Sequence, residues 1–331
     1  MMSFNAPTYA RRFYELLLDQ SLSGEIKSLV LGLTWTCCQS DQGCGLAMTA
    51  ESPTRTLPWP GTLAGRSVAE IANWITSWQP HEASVAMAAI NSTINADNPL
   101  LASAVPIVPQ GPANLSVFEH FLPRISGQRV VVVGRYPGLD RYAEQCQMTV
   151  LERNPLAADL PDPAAEFLLP EADWVFLTAT SIINKTFPRL AELSSNANLV
   201  LMGPTVPWLP DLVEFGVDFL AGVNIHRPQN VSQTVMEGGG TRIFETGVEY
   251  AVADLGQTEM KWCQTAIADL VARREYLKQA MKSWYKAGNK MRFPEYGELN
   301  GIEKELAMLD SRYKRMWDAR NKHPVALLKN A

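Results

Sequence analysis

Residues 129–140 read RVVVVGRYPGLD. Four consecutive valines do not alternate with polar residues, so the run fits a strand buried on both faces, as in parallel sheets covered by helices on either side. Four similar runs follow it: MTVLER (148–153), WVFLTAT (174–180), NLVLMG (198–203) and VDFLAGV (217–223). Helical stretches such as INKTFPRLAELS (183–194) and PDLVEFG (210–216) lie between them. Strand–helix alternation at this spacing predicts an α/β fold with a doubly wound parallel sheet over residues 111–253. A dinucleotide-binding sheet would follow its first strand with G-x-G-x-x-G. Here only Gly134 and Gly138 are present, with Arg135 and Tyr136 where a pyrophosphate would approach. Glu152 ends the next strand, eighteen positions after Gly134, where an acidic residue can hold a ribose hydroxyl. Gly134 and Glu152 are therefore candidate cofactor-binding residues. The competing reading of Glu152 is a solvated carboxylate at a strand end.

Upstream, residues 1–110 read as a smaller α+β domain. MMSFNAPTYARRFYELLLDQ (1–20) predicts an amphipathic helix and has no long apolar core of a secretory signal. SLVLGLTWTCC (28–38) and the segment from Cys44 predict a strand pair around a turn at Ser40–Gly43. SVAEIANWITSW (67–78) and the alanine-dense HEASVAMAAINSTIN (81–95) predict two helices, the second buried. VPIVPQGP (105–112) reads as a linker. The strand pair carries three of the five cysteines: Cys37, Cys38 and Cys44. Adjacent strand residues face opposite ways. The expected turn sets Gln39 opposite Cys44 and Cys37 diagonally across on the same face, so one face offers at most two sulfurs. With no histidine nearby, structural thiols are favoured over a tetrahedral zinc site.

The bulk composition sets further limits. The chain has 331 residues, 47% apolar, with a net charge of −5, which is ordinary globular composition and enough for two or three domains. Its apolar runs are too short to span a bilayer, and an odd number of scattered cysteines favours the cytoplasm over a disulfide framework. Charge is uneven. From residue 258 onward there are 15 basic and 9 acidic residues, net +6, leaving 14 basic and 25 acidic in the remainder, net −11. The segment 254–331 predicts an antiparallel helical hairpin. One long helix is ended by Gly288, and in a second Ile302, Leu306, Leu309, Tyr313 and Met316 form a heptad seam. The hairpin packs on its own body or on a second subunit, or docks an acidic partner protein. Its basic residues alternate with acids on an acidic chain, which argues against nucleic acid.

GLTWT and GCGLAMT (32–36, 43–49), LAGRSVAEIANWITSWQPHEASVAMAAINSTIN (63–95), GQRVVVVGRYPGLD (127–140), VLERNP (150–155), LLPEADWVFLTATSIINKTFPRL (168–190), LMGPTVPWLPDLVEFGVDFLAG (201–222) and EGGGTRIFE (237–245) occur in this order. Together the chain resembles the "putative heavy-metal chelation" family of bacterial and archaeal proteins of unknown function, over roughly residues 12–252. The resemblance implies an enolase-N-terminal-like domain followed by a Rossmann-like domain, with a ligand site in the groove between them. It implies ligand-binding roles for Glu82, Asn91 and Asn95 on one helix. It implies the same for Thr178, Thr180, Asn184 and Thr186, for Pro204 and Thr205, and for the loop Glu237, Gly238, Gly239 and Gly240. The hairpin departs from the family pattern, and simple transfer of function stops there.

The residues support this placement on their own terms. In an open α/β sheet ligands gather at the carboxyl ends of the strands, where TATS, GPT and VLERN all fall. Asn91 and Asn95 are spaced i, i+4 and share a helix face. Three glycines after Glu237 let backbone N–H groups approach an anion. The alternatives are equally concrete: threonines as helix caps, asparagines satisfying buried backbone, glycines as a plain turn. His81, beside Glu82, reads as a surface or capping group before a general base, and His120, His226 and His323 show no partners in sequence. Oxygen donors of this kind suit hard cations or hydroxyl-rich ligands, so a metal held as a chelate or oxyanion fits better than a bare soft ion. Three functions stay open: a binding protein that hands such a ligand to a partner, an enzyme using a nucleotide-type or small polar substrate with Glu152 on the ribose, and an inactive scaffold.

Overall fold

The structure is a computed structural model that describes residues 8–20, 22–142, 145–156 and 158–321. It divides into two compact units, one reaching to Asp254 and the other beginning at Leu255. The fold is α/β with two sheets in the first unit.

The small sheet comprises β1 (Ile26–Leu31), β2 (Trp35–Ser40) and β3 (Cys44–Met48), antiparallel in that order. Its pairing sets Gln39 against Cys44, Cys37 against Leu46 and Trp35 against Met48, the register expected from the turn. Period-two alternation then gives β3 two faces of opposite character. Gly43, Gly45 and Ala47 point toward the helix Pro80–Ile94, which is buried along Ala83–Ser92. A Cβ on Gly45 would stand 2.2 Å from both the Ala88 carbonyl oxygen and the Ser92 nitrogen, so the helix rests almost on the strand backbone. The opposite face, with Trp35, Cys37 and Gln39, meets the helix Pro228–Met236 and the loop after it: Gln39 donates to the Pro228 carbonyl at 3.4 Å and Trp35 Nε1 to the Gly240 carbonyl at 2.9 Å. The small sheet is thus held between two helices from distant parts of the chain.

The large sheet contains β4 (Val105–Pro106), β5 (Arg129–Val133), β6 (Gln147–Glu152), β7 (Leu160–Pro161), β8 (Trp174–Thr178), β9 (Asn198–Met202), β10 (Val217–Ile225) and β11 (Val248–Asp254). Its order is β4-β11-β10-β9-β8-β5-β6-β7. From β10 to β7 every neighbouring pair is parallel, and β11 and β4 add on antiparallel at one edge. The five strands expected from the sequence are all present. Val130–Val133 and all of β9 are buried, as both-face burial requires. Strand order reverses at β5, which has β6 on one side and β8 on the other. Below this point Phe118, Phe121, Trp174, Phe176 and Phe219 form an aromatic core with ring centroids 5.0 to 6.4 Å apart.

Several local expectations change. Residues 105–112 are more than a linker, since Val105 and Pro106 pair with β11. SVAEIANWITSW splits into a short α-helix Val68–Ala72, capped by the Ser67 hydroxyl, and a 3-10 turn Asn73–Thr76. PDLVEFG is a 3-10 helix that Gly216 ends at φ +80°. INKTFPRLAELS is broken: one helix ends at its first residue, Ile183, and the next runs over Phe187–Leu193, because Lys185 between them takes φ +66°. The N-terminal helix runs over Thr8–Leu18, and residues 1–7 lie outside the described residues.

The second unit is a hairpin of helices Gly256–Lys286 and Tyr296–Asn321. Gly288 at φ +84° follows the first helix, as its position predicts. Ile302 packs with Leu277, Phe293 and Leu299, while Leu309 and Met316 pack with Cys263; Leu306 and Tyr313 fill in beside them. The heptad positions therefore form the seam. Arg273–Glu298 at 2.7 Å and Lys278–Glu303 at 3.4 Å flank it. His323 and the rest of residues 322–331 lie outside the described residues.

Candidate functional site

A cavity of about 1070 Å³ opens at the carboxyl ends of β5, β6, β8 and β9. Sheet topology explains its position: the connections leaving β5 and β8 run in opposite directions and cannot fill the space above the reversal. Val133, Gly134, Glu152, Thr178 and Met202 form its floor, and Trp35, Met48 and Thr49 of the small-sheet region form part of its wall.

Gly134 is confined by its surroundings. It has φ +96°, and a Cβ there would lie 2.9 Å from Thr178 Cγ2. Gly134→Ala is expected to lower stability by about 1–3 kcal/mol through the disfavoured backbone conformation and to push Thr178 into the cavity. Thermal denaturation checks the first effect; an unchanged melting temperature would refute it. Glu152 also lines the cavity, and each of its oxygens already accepts one backbone N–H. Its Oε2 accepts from the Arg135 backbone N–H at 2.8 Å and its Oε1 from the Arg153 N–H at 2.7 Å. It clamps the turn after β5 to the end of β6. Arg135 itself is turned onto Asp159, which is buried, and Asp140.

The threonines after β8 form one connected set. Thr178 Oγ1 donates to Thr180 Oγ1 at 3.2 Å. Thr178 also hydrogen-bonds the Tyr136 phenol, and burial pushes that phenol up to about 12, so Tyr136 stays a neutral donor at physiological pH. Thr180, Asn184, Thr186, Pro204, Thr205 and Gly240 also line the cavity. Thr205 is only 2% exposed, and its hydroxyl accepts from the Met48 N–H at 2.9 Å.

The remaining expected residues stand off the cavity wall. Asn91 is fully buried and donates to the carbonyls of Leu46 (2.9 Å) and Thr205 (3.0 Å), while its Oδ1 has no partner among the described residues. Asn95 Oδ1 accepts from the Trp208 N–H at 3.1 Å. Both asparagines tie the helix Pro80–Ile94 to the segment after β9. Glu82 accepts a hydrogen bond from the Ser77 hydroxyl at the start of that helix. Glu237 is exposed and accepts from Gln233 Nε2 one turn earlier. Gly238 (φ +80°) and Gly239 close the helix Pro228–Met236 through N–H bonds to Val235 and Thr234, so of the three glycines only Gly240 reaches the cavity. Lys185, Arg189, Glu51 and Tyr250 line the cavity without a signal in the sequence, and Tyr136 is expected only as bulk where a pyrophosphate would approach. Lys185 sits between Asn184 and Thr186, both of which the family resemblance marks.

The cysteines lie elsewhere. Cys37 and Cys44 Sγ atoms are 3.6 Å apart on the sheet face under the helix Pro228–Met236, and Cys38 is on the other face against Ser92. Burial pushes Cys38 up to about 12, and the hydrogen bond between Cys37 and Cys44, in which either sulfur can donate, lowers Cys37 and raises Cys44. Among the described residues no three His, Cys, Asp or Glu side chains converge as metal ligands. No helix among them is long and apolar enough to cross a membrane.

Two family models, both described as "putative heavy-metal chelation", match residues 14–94 and 116–254. A crystal structure of a protein of unknown function from the DUF364 family of Desulfitobacterium hafniense is 30% identical, covers 74% of this chain and 98% of its own, and superposes with a TM-score of 0.64. A second protein of unknown function from that family, from Pyrococcus horikoshii, is 20% identical over 75% of this chain and 100% of its own, with a TM-score of 0.60, and shares the fold. An uncharacterized protein of Methanocaldococcus jannaschii is 38% identical over 88 residues, 25% of this chain and 34% of that relative. Two adjoining matches in family order, and near-complete coverage of a 30% identical relative, place this chain in the "putative heavy-metal chelation" family.

Proposed function

We propose that the protein binds a metal in chelated or oxyanion form, as part of an organic-sized ligand, in the cavity above the β5–β8 reversal. The observation that carries this reading is the contrast between a space of about 1070 Å³ and the lack, among the described residues, of any three-donor metal cluster. A bare hard cation needs several oxygens converging at about 2.3–2.6 Å, whereas pockets of about 300–1,000 Å³ hold organic molecules. The polar groups that converge are the Thr178–Thr180 pair, Tyr136, Asn184 and Thr205, set among apolar walls such as Ile183, Leu190 and Phe244. Such groups orient hydroxyls and carbonyls of a ligand that brings its own metal donors. A nucleotide reading rests on Glu152, whose two oxygens already accept from backbone amides, so that reading is second.

The finer organisation belongs to the same proposal: an enolase-N-terminal-like layer to about residue 110, a Rossmann-like layer to 253 and a hairpin from 254 that meets a partner or a second copy. Cytoplasmic location belongs to it too, supported by five free thiols.

Native mass spectrometry with parallel metal analysis, on the full chain purified without chelators, tests the function. The expected result is an organic-sized adduct with associated metal, lost in a Thr178→Val/Thr180→Val variant. Metal bound without any organic mass, and retained in that variant, would overturn the reading.

A further inference from the structure

Lys185 has a backbone conformation that its side chain does not favour. Among the described non-glycine residues only Asp97 and Lys185 have positive φ, at 45° and 66°. Left-handed backbone costs an L-residue with a long side chain more than it costs Gly or Asn. Local hydrogen bonding imposes the turn: the Asn184 N–H bonds Thr180 O, the Lys185 N–H bonds Ile182 O and the Thr186 N–H bonds Ser181 O. This closes the short helix Thr180–Ile183 in the manner that usually places glycine at the left-handed position. Glycine would therefore serve the fold better, and the lysine side chain must answer to something else.

Its surroundings point to a charge role. Four cations line the cavity: Arg135, Arg153, Lys185 and Arg189. Arg135 pairs with Asp140 and Asp159, Arg153 with Asp162 at 3.2 Å, and Arg189 with Glu166 and with Glu192 at 2.8 Å. Lys185 has no carboxylate partner among the described residues. Its ammonium donates to the Ile183 carbonyl at 3.0 Å and lies 5.7 Å from the centroid of the Tyr14 ring. An ammonium carries three donors, and a carbonyl and a ring face are weak compensation for a charge half withdrawn from water. Burial pushes the Lys185 amine down to about 8, so at pH 7 it still carries its charge in this poorly compensated place.

We propose that Lys185 recognises an anionic group, a carboxylate or a phosphate, on the ligand of this cavity. The proposal rests on the cavity being the binding site and adds the charge of what enters it. The anion would replace the missing carboxylate partner, while the apolar walls take the rest of the ligand.

The test uses 8-anilinonaphthalene-1-sulfonate, an apolar anion whose fluorescence reports binding, on the full chain. Three variants of the experiment separate the claims. In Lys185→Gly the dye is expected to bind at least about tenfold more weakly, the loss of one hydrogen bond to a charged group. The melting temperature should stay equal or rise, because glycine relieves the left-handed backbone. Octanoate or octyl phosphate should displace the dye from the wild type better than octanol does, and the better of the two tells carboxylate from phosphate. Asn184→Trp, which fills the cavity from its exposed rim, should abolish dye binding. Equal dye affinity in wild type and Lys185→Gly, with binding still lost in Asn184→Trp, would overturn the role of Lys185 and leave the cavity as the site. Equal displacement by octanol would overturn it too. Dye binding that is absent from the wild type, or unaffected by Asn184→Trp, would overturn both readings.

Discussion

Gly45→Ala is expected to lower the stability of the first unit by at least about 3 kcal/mol, the upper range for overpacking a tight core. Scaled for a domain of this size, that is roughly 6–12 °C in melting temperature. The atoms a Cβ would meet at 2.2 Å are backbone atoms of the helix Pro80–Ile94, and the Asn91 carbonyl carbon is at 2.7 Å. A flexible side-chain end could rotate away; a hydrogen-bonded helical backbone moves only as a body. To reach ordinary contact the helix must lift from β3 by about an ångström. That lift pulls on the Asn91 bonds to Leu46 and Thr205, so one methyl group disturbs both layers at once. Circular dichroism melts of the wild type and variant measure the effect. Gly65→Ala is the contrast: its φ of +85° is a left-handed backbone that Gly45 does not have, and no atom lies within 4 Å of a Cβ there. If Gly45→Ala is no less stable than Gly65→Ala, the helix contact costs no more than left-handed backbone alone, and the packing argument fails.

The legible and illegible parts of this chain divide along physical lines. Strands β5, β6, β8, β9 and β10 were legible because burial on both faces forces a continuous apolar run. The Gln39–Cys44 register was legible because a strand alternates with period two. β4 and β7, with two residues each, carry too little sequence to signal a strand, and Val105–Pro106 looks like a linker until its pairing with β11 is known. Local hydrogen bonding at Lys185 overrode the helical appearance of INKTFPRLAELS.

The site divides in the same way. Positions at strand ends, from Gly134 to Thr205, fall on the cavity because topology puts every such end on one side of the sheet. Polar residues on the covering helix do not, and no spacing rule tells whether an asparagine meets a ligand or a carbonyl. Glu82, Asn95 and Glu237 each already have a protein partner. Lys185 gave no signal, since one lysine among polar neighbours looks like a solvated residue. Only its φ and its lack of a carboxylate partner among the described residues set it apart.

Asn91 is where a binding role and a structural role predict opposite outcomes. Its amide nitrogen is the donor for the carbonyls of both Leu46, in the small sheet, and Thr205, after the last strand of the cavity floor. Asn91→Ala leaves two buried carbonyls unpaired at about 1–3 kcal/mol each, for an expected loss of about 3 kcal/mol or more. Asn91→Asp keeps the shape, removes both donors and places a carboxylate against two carbonyl oxygens. Burial and those neighbours raise the folded-state pKa of such a carboxyl above its unfolded value. The folded protein then holds the proton over a pH range in which the unfolded chain has released it, so stability is retained at low pH and lost as pH rises. The deficit of Asn91→Asp relative to wild type should therefore be smaller at pH 5 than at pH 8, whereas the deficit of Asn91→Ala should not change. Urea unfolding at the two pH values measures both. A ligand-binding asparagine without a structural role would leave the unfolding midpoint in place and weaken only ligand retention. If Asn91→Ala unfolds like the wild type, Asn91 returns to the binding site and the cavity must extend behind its present wall.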